Sequence, residues 1–455
     1  MVASLTYLES ALIWSRPPWL QRTVLTWSIL GGDLMKIGKG IVRALIATAA
    51  VGTLALQATP AVAAPIELTI NCFNDLNMKD TLIPAYEAAN PNVKIVLKTA
   101  DFDAHHTGLL TQLVAGNGPD IACFEVGYSS QFLTYPQFFV DLKTLGASKM
   151  QKDYLPWRWN QGVARKGAIV GIPTDVGGLA MCYRQDLLKD AGLPSTPDAV
   201  TKAASTPKGF LELGKKYVAA TGKPFIDSIG NLFDAVQRQG KNGVMYYDKK
   251  SDKVVATKNP TIKKAWNFAI AANDAKISAK IGAWSGDWNA GMGNGAFATM
   301  LCPAWMLSII QSNSKDIPQA WNIAGMPGGG GNWGGTQLAI PKVAEHPAEA
   351  WKFIKWSLAP AQQLSLFKQK LVLPSTPAVY KNADFLAWRD SNFNNAPIGK
   401  IFSTVVMSIK TPIYEGRYQR AIANALGSAL SRVETGKQAP AASWAQAVKE
   451  IKKLS

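Results

Sequence analysis

At 455 residues the chain can bury a large core and, at roughly 100 to 200 residues per domain, should divide into two or three compact units, which excludes one small domain. Its formal net charge of +17 comes from Lys and Arg scattered along the sequence, with no block of five or six. A solvated basic surface is therefore expected in preference to a nucleic-acid interface, and no zinc-finger or helicase motif argues otherwise.

In chain order, the first landmark lies inside the N-terminal region. Met35 opens a run with Lys36, Lys39 and Arg43, an apolar stretch follows from Ala44 to Leu56, and small residues end at Ala61, Val62 and Ala63. This is the pattern of a signal peptide over residues 35–63, since its apolar core falls short of the roughly 20 residues that a membrane helix needs. The expected mature chain begins near Ala64, and residues 1–34 read as an over-extended start outside the fold. No cysteine sits at the cleavage point and no later run is long and apolar enough to insert, so a soluble periplasmic protein is expected.

From Ile66 to Cys72 apolar residues fall at every second position, the period of a half-buried strand. Met78, Leu82 and Tyr86 then mark a helix that stops at Asn90 and Pro91. A second strand carries Val93, Ile95 and Leu97, a second helix Leu109, Leu110, Leu113 and Val114, and a third strand runs from Ile121 to Phe124. Strand and helix alternating in this way predict a parallel sheet covered by helices, with ligands at the carboxyl ends of its strands. The loops there hold Asn74 and Asp75, then Glu125 and Tyr128, polar groups suited to hydroxyls.

Beyond residues 171–178 a second region shows helical patterns over Phe210 to Tyr217 and Ile262 to Ala272, and a strand near Ala298 to Leu301. Pro327 followed by four glycines breaks regular structure; with no Lys-Ser or Lys-Thr after it, the segment is a crossing and not a phosphate cradle. Pro347 opens a helix through Ala350, Trp351, Ile354 and Leu358, and Trp444, Ala447, Val448 and Ile451 mark the last one. The four cysteines, Cys72, Cys123, Cys182 and Cys302, lie in apolar runs without metal-ligand spacing. They read as buried free thiols, with one bridge as the alternative.

Several segments resemble the extracellular solute-binding proteins of bacterial ABC sugar importers, the group that includes maltose-binding protein. These are the Asn74-Asp75 loop, Gly116 to Ile121, Ile172 to Asp175 with Met181 to Leu187, Gly295 to Trp305, and Gly334 to Ile340. Their order along the chain carries more weight than any one of them. The resemblance implies an α/β, two-lobed periplasmic-binding-protein fold, type II-like, with a ligand cleft between lobes. The first lobe would span residues 64–173 and 328–374, the second 174–327 and 375–455. It further implies a non-catalytic monomer that hands a sugar to the permease subunits of an ABC transporter, with no cofactor. An anionic ligand would call for Arg or a helix N-terminus in the cleft loops, and these loops are acidic or neutral, so a neutral sugar is expected, of more than one ring given the number of aromatics.

A sugar offers hydroxyls that both donate and accept and weakly polar C–H faces, so its site needs carboxylates or amides at the edges and aromatic plates above and below. Twelve of the fifteen tryptophans follow residue 63. Trp305, at a strand end in the motif where the family places a stacking ring, is the first candidate. Trp333, flanked by glycines, resists assignment to a core, and Gly334 and Gly335 belong to the same segment. Trp284 and Asp287 are further candidates, although Trp284 and Trp288, four apart, fit a helical core face equally well. Glu125 directly follows a buried strand, where a carboxylate is unfavourable unless solvated or paired. Asp175 stands at the presumed crossing as ligand contact or turn former, and Tyr414 is placed near the site by a loose match. His105 and His106 lack the further ligands a metal needs. Two other functions stay open: a secreted glycoside hydrolase using Glu125 and Asp175 as acid and base, and capture of a non-sugar solute.

Overall fold

The period-2 pattern at Ile66 sets the first sheet. In the computed structural model, which describes residues 64–240 and 242–454, strand β1 (Ile66–Cys72) buries Leu68, Ile70 and Cys72 on one face. It pairs in parallel with β2 (Val93–Thr99), Ile66 opposite Val93 through Cys72 opposite Thr99, and on its other edge with β3 (Ile121–Glu125). The connections are the helices Leu82–Ala89 and Phe102–Val114. The expected signal peptide and the 34 residues before it lie outside the described residues.

The remaining strands are β4 (Gly171–Pro173), β5 (Leu179–Arg184), the short ribbon β6 (Tyr247–Asp248) with β7 (Lys253–Val254), β8 (Thr299–Pro303), β9 (Trp321–Ala324) and β10 (Thr336–Ala339). The first sheet has the order β2-β1-β3-β10-β4, and the second β8-β5-β9. The expectation of a parallel sheet therefore holds for β1, β2 and β3 alone. Strand β10 lies antiparallel to both β3 and β4, because the chain leaves the sheet after β4 and re-enters it from the other lobe. Every pairing in the second sheet is antiparallel.

Helices cover both sheets. The helix Gln419–Glu434 turns Ile422, Leu426, Leu430 and Val433 inward, an apolar stripe at helical spacing. The last helix, Pro440–Lys452, docks beside it and brings Trp444 to 4.9 Å from Trp266 between ring centroids. Pro347 stands at the first position of its helix, Pro347–Ser357, where a missing N–H costs nothing.

The cysteines correct the sequence reading: Cys72 is bonded to Cys123 and Cys182 to Cys302, and no free cysteine remains. Strand pairing is the reason. Parallel alignment of β1 with β3 brings the first pair to a Cα separation of 4.9 Å, and the antiparallel β5–β8 register brings the second to 5.9 Å, both within bridging reach. Each sheet thus carries its own bridge. A thiol reagent added to the denatured, unreduced protein should find no free thiol. Reduction should lower stability by about 2–5 kcal/mol per bridge, read as a lower denaturant midpoint.

Candidate functional site

Strand β3 ends at Glu125, and its last turn is held by the helix behind it. Asp101 caps that helix by accepting the N–H groups of Asp103 and Ala104 at 3.2 and 3.3 Å. Within it, His105 Nε2 meets the carbonyl of Cys123 at 2.9 Å, and the Glu125 N–H donates to His106 Nε2 at 3.0 Å. His106 Nε2 is thus the unprotonated nitrogen, and Nδ1 donates to the Phe102 carbonyl at 2.6 Å. Its ring stacks on Tyr128 with centroids 4.1 Å apart, and burial pushes it down to about 4, so it stays neutral. The histidine pair is a prop under Glu125.

The two lobes meet at a second support. Arg158 is fully buried; its Nε donates to the Asp175 carbonyl at 2.8 Å, its Nη2 to the Thr336 carbonyl at 2.6 Å, and its Nη1 to Gln161 Oε1 at 3.2 Å. Asp175 Oδ1 accepts the Thr174 hydroxyl at 2.5 Å and the Thr336 N–H at 2.9 Å. The crossing after β4 is thereby tied to the start of β10. Gly335 is required here: its φ is 120°, and a Cβ would stand 2.7 Å from Arg158 Nη2. At Gly177 a Cβ would fall 1.7 Å from the Trp333 carbonyl oxygen, so that crossing also needs glycine.

Around this support the tryptophans gather. Trp305 Nε1 donates to the Trp333 carbonyl at 2.9 Å, and the two rings meet edge to face at 6.3 Å. Trp284 stacks on Trp305, with centroids 5.9 Å apart and planes 17° apart. Trp284 is 59 % exposed and has a φ of 73°, a left-handed backbone that a bulky residue rarely adopts. Trp288 differs: fully buried, it donates through Nε1 to Asp227 at 2.9 Å and belongs to the core. The Arg238 guanidinium lies 4.6 Å over the Trp333 ring.

A cavity of about 910 Å³ opens beside this cluster, within the usual range of small-molecule sites. Trp157, Gln161, Arg238 and Glu415 line it together with the glycine-rich segment, while Trp284, Trp305, Trp333 and Glu125 lie outside its lining. That segment is held by Gln239, whose amide donates to the carbonyls of Pro327 at 2.7 Å and Gly329 at 2.5 Å. Glu415 comes close to Glu125 over Gly127, where an added Cβ would lie 2.9 Å from Glu125 Oε2 and 3.3 Å from Glu415 Oε2. Burial, reinforced for Glu125 by Glu415, raises both carboxyls above the ordinary range, against the pull of Arg158 and Arg238.

The sequence candidates separate accordingly. Glu125, Trp305, Trp333 and Gly334 share one neighbourhood, a Cβ on Gly334 lying 3.3 Å from Trp305 Nε1 and 3.5 Å from Glu125 Oε1. Asp175 and Gly335 flank it through Arg158, and Trp284 extends it outward. Asn74 and Asp75 accept the N–H groups of Leu76 and Asn77, at 2.9 and 3.0 Å, in their own turns. Tyr128 donates its hydroxyl to Asp103 Oδ1 at 2.5 Å, and Asp103 also meets Arg420 at 3.1 Å. Asp287 is exposed in the first turn of the helix Gly286–Asn294. Tyr414 turns its hydroxyl to Asp252 Oδ1 at 2.7 Å, leaving its neighbour Glu415 toward the cavity. Sequence reasoning missed Arg158, Arg238 and Glu415; the Trp157-Arg158-Trp159 run was the one local signal among them.

A family model described as bacterial extracellular solute-binding protein matches residues 81–394. The chain is 36 % identical to a crystal structure of an extracellular solute-binding protein of family 1, with a TM-score of 0.76, covering 86 % of this chain and 99 % of that one. It is 24 % identical over 280 residues to the arabinooligosaccharide-binding protein of Halalkalibacterium halodurans, covering 58 % of this chain and 60 % of that relative, so it spans about three-fifths of the relative's length. The ABC transporter associated binding protein of B. animalis subsp. lactis, in complex with β-1,6-galactobiose, shares the fold at a TM-score of 0.72 and 21 % identity, over 85 % of this chain and 97 % of that one.

Proposed function

The chain belongs to the bacterial extracellular solute-binding proteins, and from that premise we propose that it captures a neutral sugar or oligosaccharide between its lobes and delivers it to the permease of an ABC importer. The observation that carries this reading is the tryptophan cluster of Trp284, Trp305 and Trp333 gathered around Glu125, next to a cavity that Arg238, Asn332 and Glu415 line. Flat apolar plates next to hydrogen-bonding carboxyls match the two chemistries of a sugar. The names of the relatives, an arabinooligosaccharide-binding protein and a galactobiose complex, point the same way.

In this reading the lobes comprise residues 64–173 with 328–374 and 174–327 with 375–455, and the protein acts as a periplasmic monomer. Glu125, Trp284, Trp305 and Trp333 touch the ligand, while Asp175, Gly334 and Gly335 shape the cleft. Asn74, Asp75, Tyr128, Asp287 and Tyr414 hold its surroundings. The protein releases its ligand unchanged. Asp175 is a poor acid or base for a hydrolase, since its Oδ1 already accepts two hydrogen bonds.

Calorimetry and thermal shift against arabinotriose, β-1,6-galactobiose and maltotriose, with glutamate and phosphate as controls, test the reading. At least one sugar should bind, and a concentration of about 100 Kd should add about 2.7 kcal/mol of stability. Tight binding of glutamate or phosphate with silence toward every sugar overturns it, as does the appearance of cleaved product.

A further inference from the structure

Packing does not account for Trp284. Its ring is 59 % exposed and its φ of 73° is left-handed, so backbone strain is spent on holding a large apolar side chain in solvent. Lys276 and Lys280, earlier in the same connection, also have positive φ, 53° and 61°. Such conformations persist only where their surroundings over-determine the backbone. Around Trp284 the determining contacts lead to Asp227.

Asp227 grips the chain on both sides of Trp284. Its backbone carbonyl accepts the Ile281 N–H at 3.0 Å, and its carboxyl accepts the Trp288 indole N–H at 2.9 Å. Trp288 is fully buried; its ring centroid lies 5.2 Å from that of Trp284, which in turn stacks on Trp305. The segment leading to Trp284 is stitched to the same region. The Ile277 carbonyl accepts the N–H groups of Phe225 and Ile226 at 2.8 and 3.0 Å, and the Ala279 N–H donates to the Ile226 carbonyl at 2.8 Å. Glu434, at the end of the helix Gln419–Glu434, accepts the Ser278 hydroxyl at 2.5 Å, and Ser278 Oγ accepts the Lys280 N–H at 3.0 Å. That relay holds Lys280 in its left-handed turn.

We propose that Asp227 is a positioning residue of the sugar site: with Glu434 acting through Ser278, it fixes the 277–288 segment and the Trp288 ring so that Trp284 stands as a preset outer plate. The proposal rests on the sugar-binding reading and deepens it by giving a role to two carboxyls that do not touch the ligand. A plate already in place spares the sugar the entropy of ordering a free tryptophan side chain.

The bonding of these carboxyls supports a role in direction. Asp227 and Glu434 are 1 % and 8 % exposed, and neither has an ion-pair partner among the described residues. A carboxyl so buried is unfavourable unless donors replace its water. For Glu434 these are the Ile229 N–H at 2.8 Å and the Ser278 hydroxyl. For Asp227, Oδ1 accepts the Ser228 N–H at 2.7 Å, while Oδ2 accepts Asn231 Nδ2 at 2.7 Å and Trp288 Nε1. An amide has one accepting oxygen, so asparagine at this place cannot serve both sets of donors. The Trp288 ring then loses its fixed direction, or the turn at Ser228 does.

The experiment is a double-mutant cycle read by calorimetry with arabinotriose, β-1,6-galactobiose and maltotriose, at a temperature where melts show every variant folded. The chains are wild type, Trp284→Ala, Asp227→Asn, Ser278→Ala, and each of the last two combined with Trp284→Ala. Trp284→Ala should weaken binding about tenfold, and Asp227→Asn and Ser278→Ala by several-fold up to that amount. In the Trp284→Ala background both should have no further effect on affinity, although they still lower the melting temperature. Near-UV circular dichroism should show Asp227→Asn losing the same signal of the stacked Trp284 and Trp305 rings that Trp284→Ala loses. Should Asp227→Asn not fold, Ser278→Ala, which removes one half-buried hydroxyl, decides alone. Wild-type affinity in the folded variants, or equal weakening with and without Trp284, overturns the positioning role and leaves the sugar-binding reading standing. Failure of the folded wild-type chain to bind any of the three sugars overturns both.

Discussion

Trp305→Ala should weaken binding of the sugar identified by the calorimetric panel by about 100-fold, or roughly 2.7 kcal/mol, with little change in the melting of the unliganded protein. The size follows from what the ring holds in place. Trp305 ties the Trp333 carbonyl through Nε1 and supports the stacked, 59 % exposed ring of Trp284. Removing it takes away one plate and releases a second from its partner. The fold should survive because Trp305 packs at the margin of its core cluster, whereas Trp288, fully buried nearby, keeps its bond to Asp227. Trp305→Phe retains a flat apolar face but loses the Nε1 donor, so it should fall between the two. Unchanged affinity in Trp305→Ala removes this residue from the site.

The parts of the molecule that sequence reveals are those set by local rules. The alternation over Ile66–Cys72 announces β1 because one face of that strand is buried, and the same rule found β2, while β3 shows as a short continuous apolar run buried on both faces. Trp305 was singled out by its place at the end of a buried strand, β8, together with the family resemblance of the segment before it. The direction of β10 was not visible, since a four-residue strand carries no local mark of whether its partners run with or against it. The disulfides failed for the same reason: Cys182 and Cys302 are 120 residues apart, and only the β5–β8 register makes them neighbours. Glu415 shows the limit most plainly. Nothing near it in sequence distinguishes it from a solvated glutamate, and its burial beside Glu125 comes from a segment 290 residues away. Tyr414, chosen as an aromatic near the site, points instead to Asp252, while the residue after it faces the cavity.

Arg158→Met should destabilise the protein by about 3–5 kcal/mol, the range expected when one partner of a buried charged network is removed. For a chain of this size that corresponds to a fall in Tm of about 5 °C, alongside a lower urea midpoint. The guanidinium is fully buried and satisfies three acceptors, the carbonyls of Asp175 and Thr336 and the Gln161 amide oxygen. Methionine fills similar volume but leaves both carbonyls without that donor at the point where the two crossings are bound together. Arg158→Lys should recover little, because one ammonium lacks the fork that spans two carbonyls and a side-chain amide. A second consequence separates this role from simple packing. Arg158 holds Glu125 and Glu415 lower than burial alone would leave them. Its loss should raise both carboxyls further, so that any pH dependence of sugar binding moves to higher pH in Arg158→Met. A stability loss with an unshifted pH profile would confine Arg158 to tying the crossing after β4 to the start of β10 and detach it from the carboxyl pair.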